Sequence, residues 1–478
     1  MTMHRAPESL VFVLNQHAVT LGQPSGRLLL DWLRAEQQLN GTKAACREGD
    51  CGSCMVLLGR SHASALHYHA VNACLLPLGA ITGQHVVTIE GIMQPQLNPI
   101  QQALVNEGAI QCGFCTPGIV LALTAYFLTS AQSSSAAAID AVAGNLCRCT
   151  GYQGIKRAIA KLCEAFDLST STPEQRLADL VRWQFLPAYF LNISAQLCAL
   201  ENVPELLEHD NALVVAGGTD VCVQRAAQLC TLPLKFIPPT EHDSVVLQGE
   251  QCHIDATTTL EALRLSPLLQ QILPSLSDDL RKVCSAAVRQ RATIGGNVVN
   301  ASPIGDLAVI LLALDASLQL VNADCVRVLK LRQFFLGYKQ TALQANELLR
   351  SISFTGAVPA VHFSFEKVSK RPYLDIASVN SALFVRVNDG VITLIHLSAG
   401  GVAPTPLYLQ KTSAYLLGKA VLVEHILQAV AIAQSEITPI ADIRGSIAYK
   451  RLLLRQLIFA HFLKLFPRQL TWRALYAG

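Results

Sequence analysis

The cysteines constrain this chain more than any other feature. Of the fifteen, eight fall in tight groups before residue 150 and the other seven are scattered. Cys46, Cys51 and Cys54 have the spacing C-x4-C-x2-C, and Cys74 follows after a short apolar run. A second group holds Cys112 and Cys115, then Cys147 and Cys149. No apolar run reaches the ~18 uncharged residues that a membrane span needs. Met1–Gln16 lacks an apolar core followed by a small-residue cleavage site, so no leader is expected. The expected location is the cytoplasm, where thiols stay reduced. Clustered thiols in that compartment point to ligands, not to disulfides. For the scattered Cys163, Cys198, Cys222, Cys230, Cys252, Cys284 and Cys325, the expected role is that of small core hydrophobes.

The first group has the ligand spacing of a plant-type [2Fe–2S] cluster. A loop that wraps so compact a group needs unusual backbone angles, and Gly49 and Gly52 sit between the ligands to supply them. The N–H groups exposed in this way can hydrogen-bond the sulfurs and tune the potential. A four-cysteine zinc site and a reduced-thiol core are the competing readings. In the second group, Cys112 and Cys115 precede Thr116–Pro117, and Cys147 and Cys149 precede Thr150–Gly151. Proline suits a helix start, where its missing N–H would be unpaired anyway. Two helices therefore begin beside four thiols, and their positive ends favour thiolates. Taken alone, this pattern also allows zinc.

Hydrophobic pattern divides the rest. The chain has 478 residues, and at about 100–200 residues per domain that suggests three or four units. Strands are expected at 10–14, 18–21, 55–58 and 86–89, with a helix over 28–39, which suits a small β-grasp sheet. Helices follow at 119–128 and 155–166, joined through the low-complexity stretch 130–138. A polar, proline-bearing linker comes next, and βα patterns continue to about residue 350. The tail mixes strands (381–386, 391–397) with helices (425–434, 451–465). The formal net charge is +3 with scattered basic residues, which gives no footprint for nucleic acid.

Two glycine turns stand in the βα region. Val214-Val215-Ala216-Gly217-Gly218-Thr219-Asp220-Val221 is an apolar strand running into glycines. Arg291-Ala292-Thr293-Ile294-Gly295-Gly296-Asn297 is the second turn, and Ala301–Asp306 follows it. Glycines let backbone N–H groups approach a diphosphate. No G-x-G-x-x-G opens a helix here, so a classical dinucleotide fold is not expected.

The stretches Gln111-Cys-Gly-Phe-Cys-Thr-Pro-Gly118 and Asn145-Leu-Cys-Arg-Cys-Thr-Gly-Tyr152 resemble the second [2Fe–2S] domain of the xanthine dehydrogenase and aldehyde oxidase family of molybdenum hydroxylases. The two glycine turns resemble the same family's FAD domain. Leu374–Ala377, Gly400–Thr405 and Asp442–Tyr449 resemble its C-terminal flavoprotein domain. The likeness covers nearly the whole chain.

It implies an α+β multidomain fold. A plant-type [2Fe–2S] ferredoxin domain of β-grasp fold spans 1–92, and a helical [2Fe–2S] domain spans 93–166. A linker covers 167–179. A vanillyl-alcohol-oxidase-type FAD domain spans 180–355, and a C-terminal α+β flavoprotein domain spans 356–478. To the flavin contacts at 214–221 and 293–297 the resemblance adds Asp306, Leu349 and Lys367. Read on its own, Lys367 would be a solvated surface charge. Two departures stand out. No aromatic residue lies near Val283, where the animal enzymes set a phenylalanine against the flavin. Leu374 replaces an acidic residue that precedes the Asp375 equivalent.

The resemblance further implies an electron-transfer subunit, most like that of a two-subunit bacterial xanthine dehydrogenase. No molybdenum-cofactor region is recognisable, so that cofactor is expected on a large partner subunit, in a heterotetramer with two copies of each. Electrons would pass through the Cys112/Cys115/Cys147/Cys149 cluster, the Cys46/Cys51/Cys54/Cys74 cluster and FAD to NAD⁺, with no catalytic residue on this chain. The alternatives are the same role beside an aldehyde- or N-heterocycle-oxidising partner, and a stand-alone iron–sulfur flavoprotein carrier.

Overall fold

The structure is a computed structural model. It describes residues 9–62, 65–200, 212–240, 244–323, 325–356 and 361–476. Part of the stretch read for a leader, residues 1–8, lies outside them. The chain forms two compact units. The first is Met1–Pro238 with Ser285–Ala292, and the second is Pro239–Cys284 with Thr293–Gly478.

In the first unit, β1 (Ser9–Leu14), β2 (His17–Gly22), β3 (Met55–His62), β4 (Ala65–Asn72) and β5 (His85–Val87) form a sheet of order β2-β1-β5-β3-β4. A turn at Asn15–Gln16 closes the β1–β2 hairpin, with Asn15 at φ 53°. Strand β3 shows why the sheet is buried on both faces. Side chains alternate across a strand. Val56 and Leu58 join a core with Leu29, Leu30, Trp32 and Leu33 of α1 (Leu29–Ala35). Met55 and Leu57 face the opposite way and join the core of the helical half. Burial of each such side chain stabilises by about 1.5–3 kcal/mol. Phe12 meets Trp32 edge-on at 5.5 Å.

The helical half comprises α2 (Pro99–Asn106), α3 (Thr116–Thr129), α4 (Ser135–Ala141) and α5 (Gln153–Ala165). Helix α3 is buried all round from Gly118 to Phe127, as suits a central helix. Pro117 stands in its first turn, as expected. The low-complexity connection carries α4, capped by Ser134. The stretch read as linker holds a 3-10 turn and the start of α6 (Arg176–Arg182). The Arg176 side chain is buried there and donates to the carbonyls of Leu168 and Ser171 at 2.8 and 2.9 Å. A parallel pair, β6 (Leu213–Val215) and β7 (Leu234–Phe236), completes the unit as a short βαβ turn.

The second unit has one antiparallel sheet made of β8 (Val245–Gln248), β9 (Gln251–Asp255), β10 (Ser317–Val321), β11 (Val326–Lys330) and β14 (Leu348–Thr355), in the order β11-β10-β14-β9-β8. A hairpin of β12 (Phe335–Gly337) and β13 (Gln340–Thr341) lies before β14. The second sheet is β15 (Val361–Val368), β16 (Val379–Asn388), β17 (Val391–Gly400) and β18 (Leu407–Tyr408). Val379 to Val385 of β16 are all buried, because helices cover both faces. Ser398 on β17 bonds Val309 of the Asp306–Ala313 helix, and Ser364 on β15 bonds His461 of the Ile447–Leu465 helix. No helix among the described residues is long and apolar enough to cross a membrane.

Candidate cofactor sites

Both cysteine groups sit on loops that the adjoining elements hold rigid. Between α1 and β3 the chain turns through Arg47, Gly49 and Gly52 at φ 61°, 81° and 65°. This is the left-handed backbone the spacing called for. Arg47 is anchored to Asp31 of α1 at 2.7 Å. The Glu48 N–H donates to Cys46 Sγ at 3.4 Å, and Ser53 Oγ lies 3.1 Å from Cys51 Sγ. Cys74 is held by a 3-10 turn after β4, where the Ala73 N–H donates to Cys54 O at 3.1 Å.

The eight thiols meet in twos. Cys46 pairs with Cys51, Cys54 with Cys74, Cys112 with Cys149, and Cys115 with Cys147. Each contact splits its pair. Donating to Cys51 pushes Cys46 up, and accepting from Cys46 pulls Cys51 down to about 4. The same exchange lowers Cys54 and raises Cys74. Cys112 is lowered first by the Phe114 N–H and then by Cys149, which lies 3.4 Å away and is itself raised. Burial, then donation to Cys147, pushes Cys115 up to about 12. Burial works against the Cys147 thiolate, but hydrogen bonds led by the Thr150 hydroxyl at 3.1 Å outweigh it. Among the described residues no group of three or more His, Cys, Asp or Glu side chains is placed to hold a metal ion.

Two contacts join the loops of the two groups. The Leu146 N–H donates to Cys51 O at 3.0 Å, and Asn145 Nδ2 donates to Gly52 O at 3.1 Å. Gly118 packs so closely that a Cβ there would sit 2.2 Å from Gly52 O. Ser285–Ala292 braces the same region. Ser285 Oγ donates to Gly49 O at 3.4 Å, and a Cβ on Gly144 would meet Ser285 Cβ at 2.8 Å. Asn145 lay inside a motif quoted for its cysteines, and its brace role had no sequence signal. Ser285–Ala292 is remote in the chain and carries no motif.

The flavin-region residues divide between the units. In the first, β6 carries Val214 and Val215 into Ala216, Gly217, Gly218, Thr219, Asp220 and Val221. A Cβ on Gly217 would lie 2.0 Å from Arg291 O, so only glycine fits. Gly218 has φ +75°. In the second unit, Thr293 Oγ1 accepts from the Gly296 N–H at 3.1 Å, and Ile294 and Gly295 are buried beneath that turn. Asn297 Oδ1 is buried without a partner.

Lys367, also in the second unit, is no solvated charge. Its side chain is 2% exposed and donates to Asp306 Oδ2 at 2.7 Å and Lys282 O at 2.9 Å. Asn380, which sequence reasoning missed, holds the other Asp306 oxygen at 2.5 Å. Leu349 is half-buried in β14, opposite Leu320. Glu347, at the start of the same segment, is clamped by Arg327 at 2.6 and 2.7 Å, which pulls its carboxyl down to about 2.

Of the scattered cysteines, Cys222 and Cys252 are buried as expected. Cys198, Cys230 and Cys325 are exposed, which corrects the core reading for those three. Each lies at the end of a short element or in the turn between β10 and β11, where neighbours are too few to cover it.

Comparison with known proteins gives four matches in series. Residues 12–78 match the 2Fe-2S iron-sulfur cluster binding domain, and residues 88–160 match the [2Fe-2S] binding domain. Residues 194–354 match the FAD binding domain in molybdopterin dehydrogenase, and 364–465 match the CO dehydrogenase flavoprotein C-terminal domain. Two 2Fe-2S domains followed by an FAD-binding domain define an iron–sulfur flavoprotein of α+β multidomain fold. These four domains, in this order, are those of the iron–sulfur and FAD part of the molybdenum hydroxylases.

Xanthine dehydrogenase of Drosophila subobscura is 31% identical over 96% of the chain and 39% of that protein. Xanthine dehydrogenase/oxidase of Rattus norvegicus is 29% identical, again over 96% and 39%. The chain thus spans about two fifths of the length of these relatives. Among solved structures, carbon monoxide dehydrogenase from Hydrogenophaga pseudoflava lacking the Mo-pyranopterin moiety aligns with a TM-score of 0.51 and 26% identity. That alignment covers 55% of this chain and 92% of that one.

Proposed function

We propose that the chain relays electrons within a xanthine dehydrogenase, from a molybdenum site on a large partner subunit to NAD⁺, during oxidation of hypoxanthine and xanthine to urate. The joint between the two cysteine loops carries this reading. Cys112, Cys115, Cys147 and Cys149 would hold one [2Fe–2S] cluster, and Cys46, Cys51, Cys54 and Cys74 the other. Four contacting thiol pairs suit two clusters of two irons, each taking four thiolates. The Leu146–Cys51 hydrogen bond then links a residue beside one ligand directly to the other ligand's carbonyl.

Exposure supports this direction. Cys112 and Cys149 are open at the surface beside the exposed Phe114 and Leu146, whereas Cys54 and Cys74 are buried. Only the second loop has fully exposed thiols, whereas the first has two buried and two half-buried ones, so the second is the one we assign to the partner. The flavin residues fit their role as well. Gly217 packs on Arg291 O too closely for any side chain, which leaves its backbone uncovered by a Cβ. Residues 214–221 and 293–297 would cradle the FAD diphosphate with backbone N–H groups, and Asn297 Oδ1 has an open acceptor to offer. Asp306 and Lys367, held by Asn380, would present a fixed polar edge, and Leu349 an apolar one. FAD supplies the conversion between single electrons and hydride.

The test is co-purification with the molybdenum-bearing partner, followed by iron, flavin and subunit analysis. About four irons and one FAD per chain are expected, together with NADH formation on adding xanthine and a mass fitting two copies of each subunit. A colourless zinc protein, or an isolated chain that oxidised xanthine alone, would overturn the reading. The likeness to carbon monoxide dehydrogenase supports a second reading, the same relay beside another molybdenum hydroxylase. A substrate series on the complex separates the two.

A further inference from the structure

Asn72 closes β4, opposite Met55, two residues before Cys74. Its side chain is buried, with Oδ1 accepting from the Cys54 thiol at 3.8 Å. Its Nδ2 is buried without a partner, and a Cβ on Gly49 would lie 3.5 Å from it. The carboxamide thus spans the inside of the first cysteine loop, from Gly49 to Cys54. The usual structural role of an asparagine here is excluded. Asn72 stands at the N-cap of the Ala73–Leu75 turn, yet its side chain makes no capping bond.

A carboxamide has an accepting end and a donating end of nearly the same shape. A Cys54 thiol can donate to Oδ1. A Cys54 thiolate ligated to iron can only accept, and then Oδ1 faces it with the wrong polarity. Half a turn about χ2 exchanges the two ends without changing the volume filled. It gives the unpaired Nδ2 an acceptor at the moment the ligand gains charge.

We propose that Asn72 is a positioning residue of the first cluster, donating Nδ2–H to the Cys54 thiolate and so raising that cluster's reduction potential. A donor to a ligand sulfur stabilises the more negative, reduced state. The electron gained is the one the second cluster gives up, so the donor favours transfer inward. The proposal rests on the iron–sulfur reading above.

The experiment is a redox titration followed by electron paramagnetic resonance on the full chain, with Cys149→Ser used to assign the second cluster's signal. Asn72→Leu keeps the bulk and removes the donor. Asn72→Asp keeps the shape and offers only an acceptor. The first signal should shift to lower potential in Asn72→Leu and further in Asn72→Asp, with iron content and the second signal's midpoint unchanged. A first midpoint that stays in place, with iron intact, refutes the proposal. Should the variants lose the first cluster, the wild-type chain carrying ¹⁵N in its asparagine side chains decides. A nitrogen and an exchangeable proton coupled to the first reduced cluster are expected, and their absence rules the donor out. Wild-type protein with no iron signals at all would sink the underlying reading together with the proposal, an outcome that iron analysis tells apart from the others.

Discussion

Replacing Gly118 with alanine sets two effects against each other. Gly118 lies in the first turn of α3, and glycine to alanine in a helix ordinarily stabilises by about 1 kcal/mol. Here the added Cβ would stand 2.2 Å from Gly52 O and 2.9 Å from Asn145 Nδ2. The first neighbour is backbone, pinned between Cys51, whose carbonyl bonds Leu146 N–H, and Asn145 itself. It cannot swing aside as a side-chain tip would. Overpacking of this kind costs about 1–3 kcal/mol, and a clash with fixed backbone belongs at the upper end. The net effect should be a loss of about 1–2 kcal/mol, concentrated at the joint between the cysteine loops. Urea unfolding followed by cluster absorbance and by far-ultraviolet dichroism measures it. Bleaching should begin at lower urea in Gly118→Ala, and the second cluster should be lost first. A midpoint equal to or above wild type would mean that helix propensity wins and that the close approach at Gly52 is not rigid.

Three further outcomes follow from the same geometry. Cys149→Ser should abolish one resonance signal and leave the other, because the Cys46/Cys51 and Cys54/Cys74 contacts do not involve it; loss of both signals would show the sites are not independent. Gly218→Val should lose FAD and keep about four irons, since a β-branched residue resists φ +75°, and full flavin retention in the purified variant would refute a diphosphate role for the 214–221 loop. His461 is fully buried, and burial pushes it down to about 4 from an ordinary value near 6.5. As pH falls below 6.5 the unfolded chain takes up a proton that the folded chain refuses, so stability falls, by about 2 kcal/mol at pH 5. His461→Gln should lose less than wild type in denaturation at pH 7 and pH 5, and equal losses would show that this histidine does not titrate on unfolding.

What the sequence made legible depended on whether a local rule was enough. The C-x4-C-x2-C spacing with Gly49 and Gly52 announced a ligand loop because the loop's geometry is set by its own residues. Strand β3 and helix α3 were readable for the same reason, each carrying its burial pattern in its own letters. Strand β4 was not, because His67 and His69 interrupt its apolar residues and it owes its place to pairing with β3. Lys367 shows the limit most clearly. By itself it is a charge with a solvated tip, and only Asp306, Asn380 and the Lys282 carbonyl make it a buried one. These partners are separated from it by up to 85 residues, so no window on the sequence contains them. The same holds for the brace around the cysteine loops. Asn145 meets Gly52 across 93 residues, and Ser285 meets Gly49 across 236. Ligands can be announced by spacing, since one loop must wrap one cluster. The groups that fix and tune them come from wherever the fold brings a donor near, and burial of an unpaired amide at Asn72 is visible only once the strands are paired.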